Sequence, residues 1–336
     1  MNQVPEISII TPVYNGLPYV KECVESVLAQ DFQYWELLIS DNGSSDGTKA
    51  YLSSLMDPRI RVFYQEENLG IMGNLNFIFT KAIAPISQIL CADDYFTTPK
   101  ALDILLDYWK SSTAAVGFVR FNHQEPSAGS TEIFQKAITP SVLNPATAKL
   151  WFFIFGNIPG NLSNVSLRTH IVKEAGWFNQ QFPFAGDFEF WIRASNFYAM
   201  GVQNEMLVFV RRHDKVASNV LSLKGELYQQ HLAIYESLIN SLSSIYQKKD
   251  LVTYFNFEIC SFHYRNGLKA ATRGDFRYLK KFFSASSPAN WPKIVQIVAC
   301  LPFALFEKER IKVTCKMAQN FINQNQSGIK SQLAVH

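Results

Sequence analysis

Hydrophobic positions in the first third of the chain alternate between two periods. Ile7-Ser8-Ile9-Ile10-Thr11 is a short β-branched run ended by Pro12, and residues 19–30 carry Val20, Val24, Val27 and Leu28 at helical spacing. The alternation repeats, with strands expected at 36–40, 59–64, 86–91 and 115–121 and helices at 48–56, 71–84 and 99–110. Units of this kind predict right-handed crossovers, hence an α/β domain with a mostly parallel sheet flanked by helices. Residues 124–184 are irregular and rich in Phe, Asn and Pro, which predicts loops over a cleft; 189–197 reads as a helix. From Leu223 onward apolar residues recur at helical spacing through Tyr228, Leu232, Tyr235, Leu238, Ile239 and Leu242. The expected organisation is one domain over 1–215 and a C-terminal helical region over 216–336.

Composition narrows the class. With 48% hydrophobic and 18% charged residues, the 336-residue chain can bury a sizeable core. A net charge of +3 supplies no strong basic field, so nucleic acid is not an expected partner. The five cysteines are scattered without a CxxC pair, which argues against a disulfide framework and for a reducing compartment. Residues 1–6 lack the basic start and apolar stretch of a secretory leader, so a cytoplasmic protein is expected. The apolar stretch 291–306 is shorter than the ~20 residues of a membrane-spanning helix. Lysines flank it, and two readings stay open: a helix packed on the domain, or peripheral contact with a membrane's inner face.

On a parallel sheet, ligands bind outside the carboxyl ends of the strands. Three polar groups fall there: Thr11-Pro12-Val13-Tyr14-Asn15, Asp41-Asn42-Gly43-Ser44 and Cys91-Ala92-Asp93-Asp94. Adjacent Asp93 and Asp94 repel each other unless a cation sits between them and a ligand, and hard carboxylate oxygens suit Mg²⁺ or Mn²⁺. The plain alternative is that one of them caps the helix after Thr97-Thr98-Pro99. Asp41 can accept hydrogen bonds from a base or ribose, or can close an Asx-turn.

Together these groups closely resemble the ordered motifs of family 2 glycosyltransferases. The stretches involved are Ile9–Asn15, Ser26–Gln30, Asp41–Thr48, Asn68-Leu69-Gly70, Asp93-Asp94, Gly176-Trp177-Phe178 and Gly186–Arg193, within residues 5–215. The resemblance implies a GT-A fold, a nucleotide-diphosphosugar donor (UDP-, GDP- or dTDP-linked), Mn²⁺ or Mg²⁺, and inversion at the anomeric carbon. It implies that Pro12 and Tyr14 line the base pocket, with Asn15 and Asn68 in segments that meet the nucleotide. By the same resemblance Asp41 holds the base, Asp93 the ribose and Asp94 the metal, while Asp187 acts as general base. Arg211-Arg212-His213 matches a segment that meets the diphosphate through Arg212 or the metal through His213. A glycan or glycolipid is the implied acceptor, as in surface polysaccharide assembly.

The chain departs from the pattern at three places. Asn42 and Cys91 stand where acids are frequent, and Gly186 stands where an acid commonly precedes the base, so Glu189 stays open beside Asp187. An inverting transfer needs one carboxylate to take the acceptor's proton, and a helix start favours an ionised Asp there. The rival readings are a degenerate sugar-nucleotide-binding protein and a sugar nucleotidyltransferase, although Thr11–Gly16 lacks the Gly-rich basic loop the latter wants. No GxGxxG follows the first strand, which disfavours a dinucleotide oxidoreductase.

Overall fold

The computed structural model describes residues 4–122, 130–211, 225–285 and 293–333. They belong to two compact units. One is drawn from Met1–Pro126, Thr139–Ala148 and Asn157–Arg212, the other from Ser127–Ile138, Lys149–Gly156 and His213–His336.

The first unit is built on a sheet of eight strands. In chain order they are β1 (Ile7–Val13), β2 (Trp35–Asp41), β3 (Ile60–Tyr64), β4 (Ile86–Ile89), β6 (Val116–Arg120), β7 (Val142–Leu143), β8 (Val165–Arg168) and β9 (Ala199–Val202). Their spatial order is β3-β2-β1-β4-β8-β6-β9-β7. The first four are mutually parallel and β6 runs parallel to β9, whereas β8 is antiparallel to both β4 and β6. All seven residues of β2 are buried, as expected of a strand covered on both faces. Val20, Val24 and Val27 of α1 (Tyr19–Leu28) point into the core, the face their spacing predicts. A ribbon of β5 (Tyr95–Phe96) and β10 (Val208–Phe209) stands apart from this sheet.

Three expectations need correction. Helix α3 spans Gly70–Phe79 and does not reach 84: the Ile83 and Ala84 amides donate to Glu36 Oε1 (2.9 Å) and Ser8 Oγ (3.1 Å) instead of to helix carbonyls. Strand β4 ends at Ile89, since the Cys91 amide donates to Ser163 Oγ (2.8 Å) and not to a neighbouring strand. Residues 124–184 are not mainly loops: they hold α5 (Ser130–Ile138), β7, α6 (Pro145–Phe155), β8 and α7 (Ile171–Glu174). In α6 the run Leu150, Trp151, Phe152, Phe153 and Ile154 is buried without interruption, so it carries no amphipathic period to read.

The second unit is helical, as expected: Glu226–Leu242, Lys248–Phe255, Ser261–Ala271, Arg277–Ser284, Lys293–Leu305 and Glu307–Leu333, with a π-turn at Asn256–Cys260. Its core is aromatic. Phe153 meets the rings of Tyr235, Tyr254 and Phe321 at centroid distances of 5.9, 5.4 and 6.3 Å. No helix among the described residues is long and apolar enough to cross a membrane.

A histidine chain runs through this core. His231 Nδ1 lies 3.0 Å from His263 Nε2, whose ring partner Nδ1 lies 2.6 Å from the Tyr278 hydroxyl. Burial pushes His231 down to about 4 and His263 well below the ordinary imidazole range. The unfolded chain therefore binds protons first as pH falls. Native stability from His231, roughly 2–3 kcal/mol, is present above about pH 6.5 and is lost on the way to pH 4. Urea midpoints at pH 7 and pH 5 check this: a clear drop is expected, smaller in His231→Gln, and equal midpoints would contradict it.

Candidate functional site

The parallel half of the sheet sets the site's geometry. Val13 pairs with Asp41 across β1 and β2, so the two chains leave the sheet side by side. Asn15 turns with a φ of 51°, a backbone state Asn tolerates better than most residues. Its amide donates to Ser44 Oγ (2.7 Å), and its side-chain oxygen accepts from the Ser45 amide (2.8 Å). The Leu17 amide donates to Asp46 Oδ2 (3.0 Å), a third clip between the two loops. Tyr14 stands exposed on this edge, with Pro12 half-buried just before it.

Asp41 is buried, and its Oδ1 accepts from the Ser44 amide, three residues on, at 3.0 Å, so its side chain braces the turn that follows β2. Asn42 is an internal strut: it donates to Asn68 Oδ1 (2.9 Å) and accepts from the Leu69 amide (2.9 Å). That contact joins the 68–70 turn to the end of β2. An acid in place of Asn42 would present no donor to Asn68, which accounts for the departure at this position.

Cys91, Asp93 and Asp94 follow β4, and their ligand atoms lie within 4.8 Å of one another. Asp94 is fully buried. Its Oδ1 accepts from the Arg211 amide (2.8 Å), while Oδ2 has no hydrogen-bond partner among the described residues. Burial, then the charge of Asp93, pushes its carboxyl up to about 7, against the pull of Ser163 and Arg211. Burial and the two aspartates also raise the Cys91 thiol well above its usual range. A protonated thiol is a poor ligand, so a hard divalent cation fits the carboxylates, and Asp94 Oδ2 is the open donor.

Arg211 is the residue that closes this corner. Beyond its amide bond, Nε donates to the Asp93 carbonyl (3.0 Å), the guanidinium pairs with Glu22, and it lies over the Tyr19 ring at 4.8 Å. The β5–β10 ribbon brings it here, and Asn122 pins the ribbon. Buried Asn122, at a φ of 58°, donates to Asn164 Oδ1 (2.9 Å) and the Val208 carbonyl (2.5 Å) and accepts from the Leu207 amide (2.8 Å). Arg212 and His213 lie outside the described residues.

Helix α8 (Gly186–Ala194) starts three residues earlier than expected and sets Asp187 in its first turn. A Cβ on Gly186 would come within 2.8 Å of the Met72 side chain, so an acid at this position would require that side chain of α3 to shift. Asp187 Oδ2 accepts from Asn157 Nδ2 (2.8 Å). Burial raises its carboxyl above the usual range, with Asn157 and the helix-start amides pulling the other way. Asn157 opens the loop that leads to Ser163 and the Cys91 amide, so one loop joins the Asp187 and Asp94 ends of the site. Glu189 is held in a fork by Arg193, at 2.6 Å from Nε and 2.8 Å from Nη2. Arg193 also donates to the carbonyls of Ala175 and Trp177.

The structure thus gathers Pro12, Tyr14, Asn15, Asp41, Asn68, Asp93 and Asp94 on one sheet edge, with Asp187 tied to it through Asn157. Asn157, Ser163 and Asn122 were not singled out by the sequence. Asn157 falls in the stretch read as irregular, and none of the three carries a motif of its own.

Residues 8–167 match the family model described as Glycosyl transferase family 2. A putative teichuronic acid biosynthesis glycosyltransferase, TuaG of Bacillus subtilis, is 34% identical over 123 residues, covering 36% of this chain and 48% of that protein. An uncharacterized glycosyltransferase of Haemophilus influenzae is 25% identical over 236 residues, covering 66% and 69%. Among solved structures, S. aureus TarS 1-349 with UDP-GlcNAc aligns at a TM-score of 0.57 and 13% identity over 95% of this chain and 92% of that one. The mannosyltransferase PcManGT of Pyrobaculum calidifontis, with GDP-Man and Mn²⁺, aligns at 0.53 and 16% over 94% and 86%. At these identities the structural likeness is one of fold, and the fold is of GT-A type.

Proposed function

We propose, from the match of residues 8–167 to the Glycosyl transferase family 2 model and the similarity to TuaG, that the chain is a glycosyltransferase of this type, moving a sugar from a nucleoside-diphosphate donor to a hydroxyl of a glycan or glycolipid, with inversion. The observation that carries the reading is the buried Asp94, whose Oδ2 has no hydrogen-bond partner among the described residues and lies beside a second carboxylate at the sheet edge that also holds Asp41. Such a group is costly to bury unless a cation or ligand completes it.

In this reading Asp41 and the Pro12–Asn15 turn receive the base, Asn68 borders the nucleotide, Asp93 meets the ribose and Asp94 ligates Mn²⁺ or Mg²⁺. A bound cation would neutralise charge developing on the departing diphosphate. Asp187 takes the proton from the acceptor hydroxyl. Its raised carboxyl, met by the neutral donors Asn157 and the helix-start amides and by no cation among the described residues, suits a base, whereas the forked pairing of Glu189 with Arg193 commits that acid to holding the 175–177 turn. Arg212 and His213 are assigned to the diphosphate and the metal. The transferase site is drawn from residues 1–215, and 216–336 supply most of the helical unit, to which 127–138 and 149–156 also contribute. The similarity to TuaG, named for teichuronic acid biosynthesis, favours a surface polysaccharide acceptor.

Turnover with a panel of UDP-, GDP- and dTDP-sugars and Mn²⁺ or Mg²⁺ tests this, beginning with UDP-GlcNAc and GDP-mannose. Metal-dependent release of the nucleotide on at least one donor is expected. Tight binding without release would instead identify a sugar-nucleotide-binding protein.

A further inference from the structure

The Lys293–Leu305 helix is turned inside out. Val295, Val298, Leu301 and Leu305 are 48, 66, 37 and 59% exposed, and Phe306 just beyond is 63% exposed. Its buried face carries Gln296, Cys300 and Ala304. Gln296 donates to Asn256 Oδ1 (3.0 Å) and reaches Cys260 Sγ (3.2 Å), so this face of Gln296, Cys300 and Ala304 is tied into the second unit while Val295, Val298, Leu301 and Leu305 are left outward.

Helical hydrogen bonding continues past the end of this helix. The Phe306 amide donates to the Pro302 carbonyl (2.8 Å) and the Arg310 amide to the Phe306 carbonyl (3.1 Å). With 3.6 residues per turn, one stripe therefore runs from Val298, Leu301 and Leu305 into Lys308, Lys312 and Lys316. All three lysines are exposed. Exposed Glu309 shares the stripe, but Glu307 pairs with Arg265 (2.6 Å) and Arg310 with Glu258, so the surface remains net positive.

We propose that this stripe docks the protein on an anionic lipid surface, with the valine and leucine half entering the acyl boundary and the lysine half lying over the phosphates. The charge pattern selects this occupant. A second copy packed antiparallel would set lysines against the apolar half, and one packed parallel would set lysine against lysine. An anionic interface is apolar below and negative above, which matches both halves of the stripe. The apolar part is too short to span a bilayer, so the attachment is peripheral.

Co-flotation of the full chain with vesicles tests the proposal. Binding is expected to phosphatidylcholine mixed with phosphatidylglycerol, weakened by salt, and not to phosphatidylcholine alone. Val298→Asp with Leu305→Asp should abolish it. Replacing the three lysines together (Lys308→Gln, Lys312→Gln, Lys316→Gln) should weaken it roughly tenfold to a hundredfold. These positions are remote in sequence from every residue assigned to donor or metal, so the melting temperature and turnover of soluble sugar nucleotide should stay at the parent level, which verifies folding. No binding to the mixed vesicles, or equal binding to neutral ones, overturns the proposal. So does a dimer in light scattering that Leu305→Asp dissociates.

Discussion

Asp187→Asn should abolish sugar transfer while leaving nucleotide-sugar affinity within a few-fold of the parent. Asn is nearly isosteric and can still meet Asn157, so the first turn of α8 keeps its shape. What disappears is the capacity to accept a proton as the acceptor oxygen attacks, and loss of a general base typically lowers turnover by roughly 10²–10⁴-fold. The readout is a fall in kcat with donor Kd held, measured by nucleotide release and by calorimetry. The base must be ionised, and burial raises the Asp187 carboxyl, so kcat should decline on the acid side at a pH above the ordinary carboxylate range. Asn157→Ala removes a contact that favours the ionised form and should move that limb to higher pH. Glu189→Gln should instead lower the melting temperature, because it weakens the fork that lets Arg193 hold the Ala175 and Trp177 carbonyls. If Glu189→Gln stops transfer and Asp187→Asn does not, the two roles must be exchanged.

The contrast between these acids marks where sequence reasoning reaches and where it stops. The parallel strands were legible because β1 and β2 are buried on both faces and read as apolar runs, with α1 between them at a clean helical period. Asp41, Asp93 and Asp94 were legible for a related reason: on such a sheet, position just after a strand already fixes which edge a side chain occupies. Helix α6 was hidden by the opposite pattern, since Trp151 to Ile154 are buried all round. Strand β8 has four residues and enters antiparallel between β4 and β6, a placement that no local pattern encodes. The division of labour between Asp187 and Glu189 depends on Asn157, thirty residues away, and on Arg193 reaching back to the 175–177 turn. Both are acids in the same helical turn, and only tertiary contacts separate them. What escapes at Arg211 is its bond to Asp94, which comes from the backbone amide that every residue but proline carries.

Asp94→Asn should show the reverse signature to Asp187→Asn: loss of metal-dependent binding together with turnover, without loss of fold. The Oδ1 contact with the Arg211 amide survives the change, and a buried carboxylate facing Asp93 is replaced by a neutral amide. The metal-free variant should therefore melt no lower than the parent in EDTA, and higher if relief of the buried charge outweighs the mismatched amide donors. In the parent, Mn²⁺ with a nucleoside diphosphate should raise the melting temperature well beyond either alone, since a cation held by Asp94 would also attract the diphosphate. In the variant that synergy should vanish, and turnover should fall by on the order of 10³-fold, the scale at which a developing charge loses its electrostatic partner. Cys91→Asp offers the complementary change. A third carboxylate within the same 4.8 Å cluster should strengthen Mn²⁺ binding while destabilising the metal-free protein, because like charges then crowd a buried corner. A variant at Asp94 that retains full Mn²⁺ synergy would mean that Asp93 or a residue beyond the described segments holds the cation, and the role given to the buried carboxylate would have to be withdrawn.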